Sequence, residues 1–197
     1  MSRIIAICGL MRSGKDTVAD YLCTKWGYEK LRIADTLKKT MHLLFGFSTE
    51  QLEGDHKDAI DPSWGISPRQ AMQFFGTEVM QYHVQKLLPD VGRTFWIASL
   101  VSQLRSKPKD KIYVIPDLRF VHEYDYLKSN FGQRVHVIKI VNPNIKYCES
   151  HLHNSEQEYK NIREDFCILN NEDLTSLYQK VDVVLSQIES RDGRASD

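Results

Sequence analysis

The chain has 197 residues, with 26 Lys plus Arg against 26 Asp plus Glu, 42% hydrophobic and 26% charged. That length suits one compact domain of about 150 residues with room for an insertion or lid, and the composition argues against a disordered, collagen-like or membrane chain. A formal net charge of zero provides no broad attraction to nucleic acid or anionic membrane, so any bound anion must be held locally.

In chain order, the apolar run at 4–8 is predicted as a strand, followed at once by "GLMRSGKDT" and a helix over 17–26. Strand, glycine loop and helix in that order are what a Walker A phosphate cradle requires. Gly9 and Gly14 let successive N–H groups converge on phosphate oxygens, the helix N-terminus adds its dipole, and Lys15 supplies a cation for the β- and γ-phosphates. The simple motif places Ser or Thr directly after the lysine; here Asp16 intervenes before Thr17. Thr17 is expected to bring its hydroxyl to magnesium one position later, or Asp16 to act on the metal through water.

A weaker strand is predicted at 31–34, and Leu37, Met41 and Leu44 then give one buried helix face. Ser48 with Gln51 and Ser67 with Gln70 both fit the capping box, with Pro68 at the first helical position. The polar stretch 49–67 reads as an insertion. A buried strand over 111–116 ends on Asp117, and a helix over 120–130 is stopped by Gly132. Strands at 134–141 and 165–169 follow. Leu174, Leu177, Val181, Val184, Leu185 and Ile188 line one face of a closing helix, and a flexible tail is expected over 191–197. The polar connection 143–163 reads as a solvated surface loop or as a lid over an active site.

Asp117 and Arg119 stand where the strand at 111–116 ends. In a parallel α/β sheet that edge faces the ligand crevice, so a carboxylate there can position magnesium or a substrate hydroxyl and an arginine can pair with phosphate. The competing reading is a helix cap and a surface ion pair. No apolar run approaches the roughly 20 residues that span a bilayer, and 4–8 is shorter than a signal-peptide core, so a cytoplasmic location without a membrane partner is expected. Cys8, Cys23, Cys148 and Cys167 form no CxxC pair and are expected as reduced thiols. His151 and His153 lack a matching second ligand pair and are not read as a metal site.

The segments "GLMRSGKDTVADYL", "IADTLKKTMHLLFGFSTEQLEG", "WGISPRQAMQFFGTE", "FWIASL", "YVIPDLRFVHEYDYL" and "ILNNEDLTSLYQKV", in that order, resemble the deoxynucleoside monophosphate kinases of bacteriophages and large DNA viruses. The resemblance covers nearly the whole chain and accounts for Asp16, because that family's loop carries Gly-Lys-Asp-Thr. It implies a three-layer α/β P-loop fold over 1–190, with five parallel strands ordered 2-3-1-4-5. It also implies transfer of the γ-phosphoryl group of ATP to a deoxynucleoside monophosphate with Mg2+.

On that resemblance Arg12, Gly14, Asp16 and Thr17 sit at the ATP phosphates; with Gly9, Ser13 and Lys15 of the same loop they are the expected ATP-binding residues, and Asp16 and Thr17 the expected metal residues. Gly76, Trp96, Asp117 and Glu123 match positions that contact the acceptor nucleotide. The resemblance departs at Met11 and Ile97, where a member of that family has lysine. Lys15, Asp117 and Arg119 are the expected catalytic residues. Arg69, followed on its helix by Gln73, is a candidate for the acceptor phosphate or base, against a solvated helix charge. Trp96 and Phe75 serve either as base-stacking surfaces or as core, and Arg163 is a candidate arginine finger for the lid.

The partners expected are small-molecule nucleotides and no nucleic acid, with a homodimer left open. The alternatives are a P-loop kinase of another phosphorylated metabolite, phosphomevalonate-like or dephospho-coenzyme A-like, and a nucleotide-binding regulator without turnover.

Overall fold

Ile4, Ile5, Ala6, Ile7 and Cys8 are all closed off from solvent, as a parallel strand covered on both faces must be. The computed structural model describes residues 3–145 and 158–194. In chain order its elements are β1 (Ile4–Cys8), α1 (Lys15–Trp26), β2 (Glu29–Lys30), α2 (Asp35–Phe45), α3 (Thr49–Glu53), α4 (Pro68–Gln73) continued by π-type turns over Phe74–Tyr82, α5 (Phe95–Ser106), β3 (Tyr113–Ile115), α6 (Val121–Phe131), β4 (Val135–Val141), β5 (Phe166–Leu169) and α7 (Leu174–Arg194). The chain divides into two compact units, Met1–Arg32 with Ser106–Asp197, and Ile33–Arg105.

The first unit is built on a five-stranded parallel sheet in the order β2-β3-β1-β4-β5, the expected topology. Ile5, Ile7, Val114, Ile138, Ile140 and Ile168 pack on Val18, Ala19 and Leu22 of α1 and on Leu177, Val181, Val184, Leu185 and Ile188 of α7. α1 ends in a Schellman arrangement: the Gly27 N–H donates to Cys23 O, and the N–H of buried Tyr28 donates to Leu22 O.

The second unit has its own small core. Met41, Phe47, Leu52 and Ala71 are buried, with Leu37, Phe45, Ile66, Met72 and Phe75 packed against them. Both capping boxes form. Ser48 Oγ accepts from the Gln51 N–H and Ser67 Oγ from the Gln70 N–H, while each glutamine side chain accepts from its cap residue's backbone N–H.

Several expectations need correction. The second strand lies at Glu29–Lys30, not 31–34, because its register against Tyr113 and Val114 is set by pairing and it contains no apolar run. Leu44 is 55% exposed: the inward stripe of α2 is Leu37, Met41 and Phe45, at spacing i, i+4, i+8. Leu174, at the start of α7, is 52% exposed. The expected flexible tail is helical through Arg194, where Asp192 pairs with Arg3 at 2.7 Å and Arg191 lies 4.6 Å from the Phe166 ring. The unit that interrupts the sheet is 33–105, of which the expected insertion at 49–67 is one part. Most of the 143–163 lid candidate, with His151 and His153, lies outside the described residues. Cys8, Cys23 and Cys167 are free thiols.

Candidate active site

The phosphate loop joins β1 to α1. Gly9 has φ 143°, Arg12 φ 64° and Gly14 φ 106°, and Arg12 is the one non-glycine residue with positive φ among the described residues. A Cβ on Gly9 would stand 2.4 Å from Ile140 O, and one on Gly14 2.6 Å from Asn170 Nδ2, so both positions need glycine on space as well as on φ. The Lys15 ammonium folds back over the loop and donates to Gly9 O at 2.9 Å and Leu10 O at 2.7 Å. Ser13 is 1% exposed, and its hydroxyl has no hydrogen-bond partner among the described residues. A buried orphan hydroxyl in a glycine loop is a donor held ready for an anion.

Asp16 lies in the first turn of α1 and pairs with Arg32 at 2.6 Å. Burial raises its carboxyl, but the Arg32 hydrogen bond and charge, helped by Lys15 and Lys30, outweigh burial and hold it below the usual carboxylate range. Asp16 is therefore an anion at neutral pH. Asp16 and the next residue, Thr17, both carry hard oxygen donors, which fit magnesium; magnesium sites commonly use one or two carboxylates and complete the shell with phosphates and water.

At the same carboxyl edge of the sheet, the turn after β3 holds Asp117 and Arg119, and the Leu118 N–H donates to Ile7 O of β1. Glu123, 4% exposed, turns its carboxyl onto the backbone N–H groups of Arg119 at 2.9 Å and Phe120 at 3.1 Å. Burial pushes that carboxyl up to about 8, against the lowering effect of the two N–H groups. The Asp117–Arg119 turn is thus held by a buried acid, and the N-cap of α6 is Phe120, whose backbone N–H is served by Glu123. Cys8, where β1 meets the loop, is pushed up to about 12, chiefly by burial, and stays a neutral thiol.

In the second unit Trp96, 7% exposed, donates its indole N–H to Gly76 O at 2.9 Å, and a Cβ on Gly76 would meet Leu37 Cδ2 at 2.8 Å. The partly buried Arg69 holds both carboxylate oxygens of Asp58, with Nη2 at 3.1 Å from Oδ2. Gln73 is partly buried one turn further on, Phe75 packs edge-on to Phe45, and Ile97 is buried. In the first unit Arg163 is exposed. Two residues escaped the sequence reading. Arg32 was hidden by the misplaced second strand. Asn170 follows β5 at the sheet's carboxyl edge, so the crevice rule already applied to Asp117 also singles it out.

A parallel sheet in this order, with β1 opening into a glycine loop and a lysine turned back over it, is the P-loop α/β fold. A profile of the deoxynucleotide monophosphate kinase family matches residues 3–61 and 55–181, and the chain belongs to that family. It is 30% identical over 185 residues, 90% of this chain and 93% of the other, to a protein of Acanthamoeba polyphaga mimivirus that is named provisionally as a deoxynucleotide monophosphate kinase. It is also 30% identical over 138 residues to an uncharacterised protein of Ictalurid herpesvirus 1 (strain Auburn), covering 69% of this chain and 47% of that one. Among solved structures it is similar to a gluconokinase from Sinorhizobium meliloti 1021 (TM-score 0.54, 10% identity, 99% of this chain and 98% of that one) and to dephospho-CoA kinase from Campylobacter jejuni (TM-score 0.52, 16% identity, 98% and 100%). At those identities the likeness is one of fold.

Proposed function

We propose that the chain transfers the γ-phosphoryl group of ATP to a deoxynucleoside monophosphate, giving the diphosphate and ADP. The observation that carries this reading is the loop at the end of β1, with Lys15 over the Gly9 and Leu10 carbonyls, in a chain of the deoxynucleotide monophosphate kinase family. An acceptor phosphate oxygen attacks the γ-phosphorus in line, the bond to the β–γ bridging oxygen breaks, and ADP leaves with the electron pair. The attacking oxygen is already anionic, so the protein needs no nucleophile of its own, only positioning and charge neutralisation.

Gly9, Arg12, Ser13 and Gly14 cradle the donor phosphates. Lys15 exchanges two neutral carbonyls for charged phosphate oxygens and follows the charge that develops on the bridging oxygen. Asp16 and Thr17 would hold magnesium, which would supply charge neutralisation at the donor phosphates. Asp117 and Arg119 orient the acceptor phosphate, with Glu123 fixing the turn that presents them. Arg69, Gln73, Gly76 and Trp96 serve the acceptor nucleotide, Trp96 by holding the Gly76 backbone. Arg163 steadies the transferring group.

The test is incubation of the purified protein with ATP, Mg2+ and each of the four deoxynucleoside monophosphates. We expect a diphosphate from at least one of them, and a loss of at least about 100-fold in turnover for Lys15→Ala, in the range seen when one transition-state donor is removed. No diphosphate with any acceptor sinks the reading.

A further inference from the structure

Asn170 is tied into the sheet more firmly than a loop residue ordinarily is. Its backbone N–H donates to Val141 O at 2.7 Å, which continues the β4–β5 ladder one residue past the strand. The preceding carbonyl, Leu169 O, accepts from Lys180 Nζ of α7 at 2.9 Å, and the same ammonium reaches Asn171 Oδ1 at 3.1 Å. Sheet and helix thus fix the backbone from both sides, and the side chain is delivered to one place. Its amide donates to Ser13 O at 2.9 Å, across 157 positions of sequence, and its Nδ2 fills the space where Gly14 would carry a Cβ.

We infer that Asn170 is a positioning residue for the phosphate loop. In a planar trans peptide the carbonyl and the following N–H point to opposite sides. Anchoring Ser13 O on Asn170 therefore turns the Gly14 N–H away from the end of β5, and Gly14 is the residue that opens α1 with φ 106°. The loop's peptide orientation is set before any ligand arrives, so binding does not have to supply the ordering. Asn suits this role: it donates without charge, whereas an acid there would face both a carbonyl and incoming phosphate. The inference rests on the proposed ATP-binding role of the loop and adds a residue that acts on it from the opposite end of the chain.

The test is the affinity of the wild type, N170A and N170D for the magnesium complex of ATP by titration calorimetry, with no acceptor present. Melting temperatures of the ligand-free proteins are measured alongside. N170A is expected to bind about tenfold more weakly, the scale of one lost hydrogen bond that leaves a buried partner unsatisfied. N170D keeps the shape of asparagine and leaves no gap of the kind that alanine opens. Ionised, it cannot donate, and as pH falls from 8 to 5.5 its carboxyl gains a proton it can offer to Ser13 O. Its deficit relative to wild type should therefore shrink over that range.

A merely structural role lowers the melting temperature and leaves affinity and its pH profile unchanged. N170A or N170D binding like the wild type at every pH overturns the inference. A wild type that binds Mg-ATP but phosphorylates no deoxynucleoside monophosphate overturns the functional reading and leaves this inference standing.

Discussion

Glu123 shows how a single side chain can be read differently from the sequence and from the fold. Its match to an acceptor-contacting position suggested a ligand contact, yet its carboxyl is buried against the N–H groups of Arg119 and Phe120. A carboxyl raised from its ordinary value to about 8 favours the native state in its neutral form. The stabilisation is fully present below the unfolded-state value near 4.5 and is lost as pH rises through about 8. Glu123→Gln, a permanently neutral mimic of similar shape, should therefore melt at nearly the same temperature at pH 6 and pH 9, after correction for the background slope of the other groups. The wild type should lose stability over that interval, and parallel melting curves for the two proteins would remove the buried acid from this account.

At the scale of elements, what was legible was what is local. Both capping boxes, the C-terminal Gly132 and the strand–loop–helix order around Lys15 depend on residues within a few positions of one another, and all were visible from spacing alone. The second strand was not, because Glu29–Lys30 is polar and becomes a strand only by pairing with Tyr113 and Val114. Leu44 was misassigned for a related reason: Leu37, Met41 and Phe45 make an equally good helical stripe, and only the neighbours of α2 choose between them. Asn170 and Arg32 acquire roles once the sheet order is known.

The two caps also differ in a testable way. Ser67 is buried and Ser48 exposed, so water replaces the lost hydroxyl at one and not the other. Ser67→Ala should cost about 1 kcal/mol by urea unfolding, and Ser48→Ala clearly less.

For the whole molecule, the balanced charge now has a definite complement. On the proposed function, a polyanionic ligand would be held by oriented backbone N–H groups, the Ser13 hydroxyl, Lys15 and a few arginines, while a formal net charge of zero supplies no net field for polyanions at large. No helix among the described residues is long and apolar enough to cross a membrane. A ligand that binds only the folded state at about a hundred times its dissociation constant adds about 2.7 kcal/mol of stability. Mg-ATP at that excess should raise the melting temperature of the wild type by several degrees and that of Lys15→Ala much less. Equal shifts for the two proteins would place the nucleotide elsewhere.

The position of the second unit within the chain also bears on the order of events at the ribosome. β1 is made first, but its partners are Tyr113 to Ile115 on one side and Val135 to Lys139 on the other, more than a hundred residues later. The helix α7 that covers its core is made last. Residues 33–105 are contiguous and bring their own small core, whereas β1 waits as an unpaired apolar run. The middle of the chain can thus take shape before its beginning, and the phosphate loop, encoded in the first twenty residues, is among the last parts to be finished, since Asn170 must arrive to complete it.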